Sequence, residues 1–285
     1  MQTCPLCSKN NISLLKIEKK IKIHQCLDCE VGFLDKKSLE KQKKLKQNFK
    51  YSLKDYFQNK DRLEKRFGKL TKIILKFKNN GKLLDVGAGF GLLTSILYRL
   101  GKFKITVVEP ENEVHFLRKI PKEIFKKNFS DFLKINKQKF DLILLIDVLE
   151  HLKNPKKSLL EIKKILNNNG FLVIQLPNYK SLMAKICKHW SWWMIEDHKY
   201  FFSPKSIKKL TKETGFQLIF FKTYEDFYDF KKNLDGNFLS FKNLWTMRIL
   251  KGLFFLTFFP MYFLIRYFIW KLGYGGLIFL IAKKN

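Results

Sequence analysis

The residues best suited to do chemistry surround a turn of small side chains. Leu83-Leu84-Asp85-Val86-Gly87-Ala88-Gly89-Phe90-Gly91 leads from a short apolar run into a helical pattern. At such a junction a ligand sits against the helix N-terminus, outside the carboxyl end of the strand. Glycines let the backbone approach that ligand and adopt φ values that a Cβ penalises. The spacing is G-x-G-x-G; a dinucleotide turn, G-x-G-x-x-G, would need glycine where Leu92 stands. An acid, Asp85, precedes the first glycine by two residues. A diphosphate gains nothing from a carboxylate there, whereas a cation does. The turn points to a positively charged cofactor such as S-adenosylmethionine, which carries a sulfonium and an ammonium.

Further polar residues fall at the ends of the following apolar runs. Val107-Val108-Glu109-Pro110 places a carboxylate where it can accept from both hydroxyls of a ribose, or simply end a strand exposed. Asp131 follows the expected third strand and could accept from an adenine amino group, although alone it reads as a helix N-cap. Asp147 closes the run Phe140–Ile146. His151 and His198 are the candidate bases for an acceptor that must lose a proton, with Glu150, Glu196 and Asp197 as orienting carboxylates. His151 also has a plainer reading, as a capping or packing residue. Trp190, Trp192, Trp193 and Met194 could wall off a pocket or serve only as packing.

The cysteines form a separate constellation. Cys4-Pro-Leu-Cys7 and Cys26-Leu-Asp-Cys29 lie 18 residues apart, close to the spacing of a zinc ribbon. Four thiolates with no open position would hold a structural Zn2+, which a segment this small needs in order to fold. His24 is near enough to compete as a ligand but is surplus. Cys187 stands alone. An odd count, and a Met1-Gln2-Thr3-Cys4 start without an apolar leader, lead us to expect a cytoplasmic chain without disulfides.

Four segments must position these residues: a zinc ribbon over 1–35, a basic helical linker over 36–80, a cofactor-binding core over 81–225, and a hydrophobic insertion with a final strand over 226–285. Residues 36–82 carry 17 Lys and Arg against four acids, and Leu63, Phe67, Leu70, Ile74 and Phe77 recur at helical spacing, a stripe that should pack on the core. From 82 onward strands are expected at 82–86, 103–109, 140–146, 170–176 and 216–222, with helices at 91–100, 111–119, 155–166 and 203–214. Buried strands alternating with helices imply a mostly parallel sheet covered on both faces. Residues 253–265 are uncharged and 253–270 strongly apolar. This stretch falls short of the ~20 residues of a membrane span. It fits a buried helix pair, a hydrophobic substrate mouth or an interfacial helix in peripheral membrane contact, with a true span the least favoured reading.

The 285 residues carry a formal charge of +31, but 50 of the 56 basic side chains are Lys. Nucleic-acid binders lean on Arg for bidentate contacts. The charge therefore reads first as a solvated Lys surface and second as the footprint of a polyanion. An apolar content of 46% excludes a disordered chain.

Taken in order, Asp85-Val-Gly87-Ala-Gly89-Phe-Gly91, Glu109, Asp131, Phe140–Asp147-Val-Leu-Glu150-His151 and Asn169-Gly170-Phe171 resemble class I S-adenosylmethionine-dependent methyltransferases. The resemblance covers about residues 80–225. It implies a seven-stranded Rossmann-like sheet whose last strand, Leu277–Lys283, runs antiparallel beside the sixth. It also implies that Asp85, Gly87, Gly89 and Gly91 border the methionine part of the cofactor, Glu109 holds the ribose, Asp131 the adenine, and Asp147 lines the junction with the acceptor. Asn167-Asn-Asn-Gly170 stands where the family often has Pro-Gly-Gly. Glu196-Asp197-His198-Lys-Tyr200-Phe-Phe-Ser203 is similar to a stretch of sugar C-methyltransferases, which also carry a cysteine-rich zinc module, and more loosely to ubiquinone-pathway-like O-methyltransferases. Asp197 replaces a glutamate of the former. The expectation is a methyltransferase acting on a small molecule, a sugar or lipid-linked intermediate. An RNA-modifying enzyme and a non-catalytic adaptor are the alternatives.

Overall fold

The computed structural model describes residues 3–46, 52–111, 114–120, 122–238 and 244–284. Three short strands, β1 (Ile12–Glu18), β2 (Ile21–Cys26) and β3 (Gly32–Leu34), open the chain, followed by helices α1 (Lys36–Lys46), α2 (Leu53–Gln58) and α3 (Lys60–Phe77). The core then alternates: β4 (Asn80–Val86), α4 (Leu92–Leu100), β5 (Lys102–Val108), β6 (Lys122–Phe125), α5 (Phe129–Ile135), β7 (Phe140–Ile146), α6 (Pro155–Ile165) and β8 (Leu166–Pro177). After α7 (Leu182–Ile186) come β9 (Tyr200–Phe201), α8 (Pro204–Glu213), β10 (Phe216–Tyr224), α9 (Phe227–Phe238), α10 (Leu244–Lys271) and β11 (Leu277–Lys284). The helix expected over 111–119 is reduced to one tight turn at His115–Leu117; residues 112 and 113 lie outside the described residues.

Seven strands form the main sheet in the order β10-β11-β8-β7-β4-β5-β6. The neighbours from β8 through β6 pair in parallel, and β11 runs antiparallel between β8 and β10, as expected for the final strand. The α/β, Rossmann-like architecture read from the sequence is thus the observed one. Both faces are covered. On one, Leu63, Phe67, Leu70 and Ile74 of α3 pack with Leu92, Leu93, Ile96 and Leu97 of α4. On the other lie Phe129 and Phe132 of α5, Leu159 and Ile162 of α6, and Ile207 and Leu210 of α8. The stripe of α3 packs as its spacing predicts, and Phe77 continues it between Phe171 and Phe220.

The N-terminal strands form a second sheet, β1-β2-β3-β9. Its fourth strand comes from far along the chain: Gly32 pairs with Phe201 and Phe33 with Tyr200. Helix α1 braces the same region, where the Gln42 amide donates to the carbonyls of Ile195 and His198. The buried helix pair that the C-terminal composition suggests is only half realised. Tyr262 of α10 is buried and stacks on Phe230 of α9, but the outer face of α10 is bare. Among the described residues no helix is long and apolar enough to cross a membrane.

Candidate active site

At the carboxyl ends of β4, β5 and β7 lies a cleft of about 930 Å³, ample for a cofactor and a small acceptor. The glycine turn forms its floor. Gly87, Gly89 and Gly91 have φ of 70°, 56° and 82°, all in the left-handed region. Their surroundings differ. A Cβ on Gly87 would strike Val148, and one on Gly91 would strike Leu117, whereas beside Gly89 there is open space. Gly91 also caps α4 at its N-terminus. It therefore shapes the turn, while Gly87 and Gly89 line the cleft.

Asp85 and Glu109 flank this floor, both buried. Burial pushes the Asp85 carboxyl up to about 7, although the Thr94 hydroxyl donates to it. Such an acid gains from a cation nearby. Glu109 is fixed by backbone: Gly89 N–H donates to Oε2 at 2.7 Å and Glu111 N–H to Oε1 at 3.0 Å. Asp131 is placed elsewhere. It is half-buried near the start of α5, where Asn128 and Lys134 donate to its carboxylate. The N-cap is Asn128, and Asn128 and Phe129 reach the cleft instead.

Asp147 ends β7 with φ +56°, in the left-handed region that a non-glycine residue rarely adopts. Its carboxylate accepts from Gln175 Nε2 at 3.1 Å and from Arg66 Nη2 at 3.3 Å. Arg66 was not singled out in the sequence. Its guanidinium is buried between Asp147 and Asp229, and its Nε has no hydrogen-bond partner. Burial opposes its charge, but Tyr224, Asp147 and Asp229 more than offset this and hold it protonated. A signal existed: Arg66 falls on the apolar stripe of α3, three residues after Leu63, in a chain that has few arginines.

The two histidines meet at the rim. Their rings lie 4.8 Å apart, edge to face. His151 Nδ1 is 3.2 Å from the Asp197 carboxylate and 3.2 Å from the Asp197 carbonyl. Burial works against its charge, yet the Asp197 hydrogen bond and the Glu150 charge raise its pKa to about 9. Asp197, though burial alone would raise it, is held well below the usual carboxylate range by His151 and by Lys46, 2.8 Å away. His198 is 2% exposed, and burial lowers it to about 3, so its imidazole is neutral. Glu150 is buried with neither carboxylate oxygen hydrogen bonded; burial pushes it up to about 8. Glu150, His151 and His198 offer ligand atoms within 4.8 Å of one another, a set that could also take a divalent cation. Trp190, Trp192, Trp193 and Met194 form one wall. Glu196 also lines the cleft and pairs with Lys19.

The four cysteines gather apart from this cleft. Cys4 and Cys29 have their sulfurs 3.6 Å apart, as do Cys7 and Cys26, and all four lie within 4.8 Å. A tetrahedral site with metal–sulfur bonds of ~2.3 Å has sulfur–sulfur edges of roughly 3.8 Å. The cluster fits metal binding. His24 is turned away, paired with Asp35 at 3.1 Å.

Comparison with known proteins agrees with this geometry. The profile of the methyltransferase-domain family matches residues 59–219. An uncharacterized protein of Methanocaldococcus jannaschii is 30% identical over 168 residues, 54% of this chain and 64% of that one, so less than two thirds of that relative is spanned. A ubiquinone biosynthesis O-methyltransferase of Pelagibacter ubique is 27% identical over 179 residues, 58% of this chain and 69% of its own. Among solved structures, the Burkholderia thailandensis 1,6-didemethyltoxoflavin-N1-methyltransferase, bound to S-adenosylhomocysteine, superposes with a TM-score of 0.54 at 12% identity, covering 96% of this chain and 99% of that one. With the profile spanning more than half of its length and the sheet order in place, the chain belongs to the class I S-adenosylmethionine-dependent methyltransferases.

Proposed function

We propose that this protein methylates a hydroxyl of a small acceptor, with His151 as the base. One observation carries the reading: the His151–Asp197 pair opens into the same cleft as the glycine turn, so donor and proton acceptor serve a single space. S-adenosylmethionine, when bound, supplies a methyl group on a sulfonium. On this reading Asp85 and the open face of Gly89 border its methionine part, Glu109 takes the ribose hydroxyls and Arg66 pairs with its carboxylate. The residues fit such a molecule: the open space beside Gly89, the buried acid and the orphaned Arg66 Nε each want a partner of that chemistry. Asp147 orients Arg66. Methyl transfer is an in-line displacement, so the chain's main contribution is alignment. His151 would take the hydroxyl proton on Nε2, while Asp197 holds Nδ1 and stabilises the imidazolium. His198, neutral and enclosed, packs His151 in place.

For the acceptor we favour a lipid-linked intermediate over a free sugar, because the tryptophan wall gives the far side of the cleft an apolar lining. The similarity to O-methyltransferases of ubiquinone biosynthesis supports the same class of chemistry. Nucleic acid has less support. Lys46 is paired with Asp197 and Glu111, and Arg62 and Arg66 face Asp229, so these bases are turned inward. We further propose that Cys4, Cys7, Cys26 and Cys29 hold a structural zinc ion.

Incubating the protein with isotopically methyl-labelled S-adenosylmethionine and a cell extract, then reading soluble, lipid and RNA fractions by mass spectrometry, tests this. Label is expected in a lipid-soluble product and is lost with His151→Ala. Label entering RNA, or transfer undiminished in that variant, would refute it.

A further inference from the structure

Helix α10 has no acid and two sides. Its inner side is tied to the core: the Tyr262 hydroxyl donates to Glu225 at 2.8 Å, Tyr262 stacks on Phe230 at 4.3 Å, and the Thr223 hydroxyl donates to the Trp270 carbonyl. Its outer side carries Ile249, Leu253, Leu256, Leu264 and Phe268, continued by Leu272 in the turn just past its end, all exposed, Leu256 by 76%, Leu264 by 80% and Phe268 by 66%. With Pro260, also exposed, the spacings are three or four residues, one continuous helical face. At ~1.5 Å per residue such a helix is roughly 40 Å long. Soluble surfaces seldom bare so long an apolar row, and a row of this size marks a contact.

The charge around it selects the contact. From Gly236 to Asn285 there is no Asp or Glu, while Lys242, Arg248, Lys251, Arg266, Lys271, Lys283 and Lys284 are basic. A second copy of this segment would bring like charges together. A bilayer containing anionic lipid offers both complements, acyl chains to the apolar row and negative headgroups to the bases. We propose that α10 lies in the interface of an anionic membrane, its outer row buried at the headgroup–acyl boundary. The helix docks without spanning. Through Tyr262 and Phe230 it is packed in the same cluster as Trp190 and Trp193, so docking brings one wall of the cleft to the bilayer. This goes beyond the catalytic reading and does not depend on it.

The test is co-sedimentation of the full chain with vesicles of phosphatidylcholine alone and of phosphatidylcholine with phosphatidylglycerol. Binding to the mixed vesicles is expected, weakened about tenfold or more by the combined substitutions Leu256→Glu, Leu264→Glu and Phe268→Glu. These exposed positions should leave the fold and S-adenosylhomocysteine affinity unchanged, as calorimetry would register. Failure to pellet with the mixed vesicles overturns the proposal. So does pelleting that the triple variant retains, which would assign binding to the general Lys surface. A concentration-dependent dimer without vesicle binding would assign the face to a second copy and equally overturn it.

Discussion

Asp197→Asn isolates the charge behind His151. The amide keeps the shape of the side chain, and the Asp197 carbonyl, 3.2 Å from His151 Nδ1, still orients the ring. What disappears is the anion. His151 rises from 6.5 to about 9; at ~1.4 kcal/mol per pH unit that difference is about 3 kcal/mol of preference for the imidazolium. Because burial opposes the charge, the carboxylates must supply more than this difference. Removing Asp197 should drop the His151 midpoint by at least about one unit. A group whose folded pKa is raised stabilises fully below its unfolded value, here 6.5, and loses that contribution as pH climbs through about 9. The variant should therefore be less stable than the parent at pH 6, by up to about 3 kcal/mol from this pair, with the gap narrowing towards pH 9 to what the Asp197–Lys46 pair contributes. Histidine Cε1–H signals in labelled protein give the midpoint, with His151→Ala for assignment, and urea unfolding at the two pH values gives the gap. A parent His151 titrating at or below 6.5, or a variant whose midpoint does not fall, would defeat the reasoning. Methyl transfer in the parent should rise with pH towards about 9 and fall ~100-fold or more in the variant.

Gly89→Asn should weaken S-adenosylhomocysteine binding strongly in calorimetry while leaving the circular dichroism spectrum near that of the parent, since the side chain meets open cleft and asparagine tolerates the φ of +56°. Glu109→Ala should weaken the same binding about 10–100-fold by freeing the Gly89 amide and removing the proposed acceptor for the ribose. Cys4→Ser should lower bound zinc well below one ion per chain, read by elemental mass spectrometry, and cost several kcal/mol of stability. Arg66→Met should raise the KM for S-adenosylmethionine more than it lowers kcat.

The sheet was legible because parallel strands are buried on both faces and read as unbroken apolar runs; β7, Phe140–Ile146, is visible at sight. The glycine turn and Glu109 line the cleft as their positions in the sequence suggest, because strand ends of a parallel sheet gather at one edge. Asp131 was less so. A carboxylate at the third helical position is indistinguishable in sequence from one that faces the cleft, and here Lys134, one turn on, takes it. The different surroundings of the two histidines needed coordinates, since only packing decides which imidazole is enclosed and which meets a carboxylate. Arg66 was hidden inside a stripe counted for its apolar members. The pairing of Gly32 with Phe201 could not have been read at all, because two-residue strands carry no periodicity.

That last pairing has a temporal consequence. The first sheet lacks its closing edge until about two hundred residues have been synthesised, so a ribosome must release Tyr200 and Phe201 before the earliest part of the chain is finished. A fragment containing only the cysteine-bearing segment would expose an unpaired β3, and such edges invite aggregation. Because Tyr200 follows His198 by two positions, closing that edge also fixes where the rim histidine stands. Sheet edge and cleft rim are joined there by a few covalent bonds.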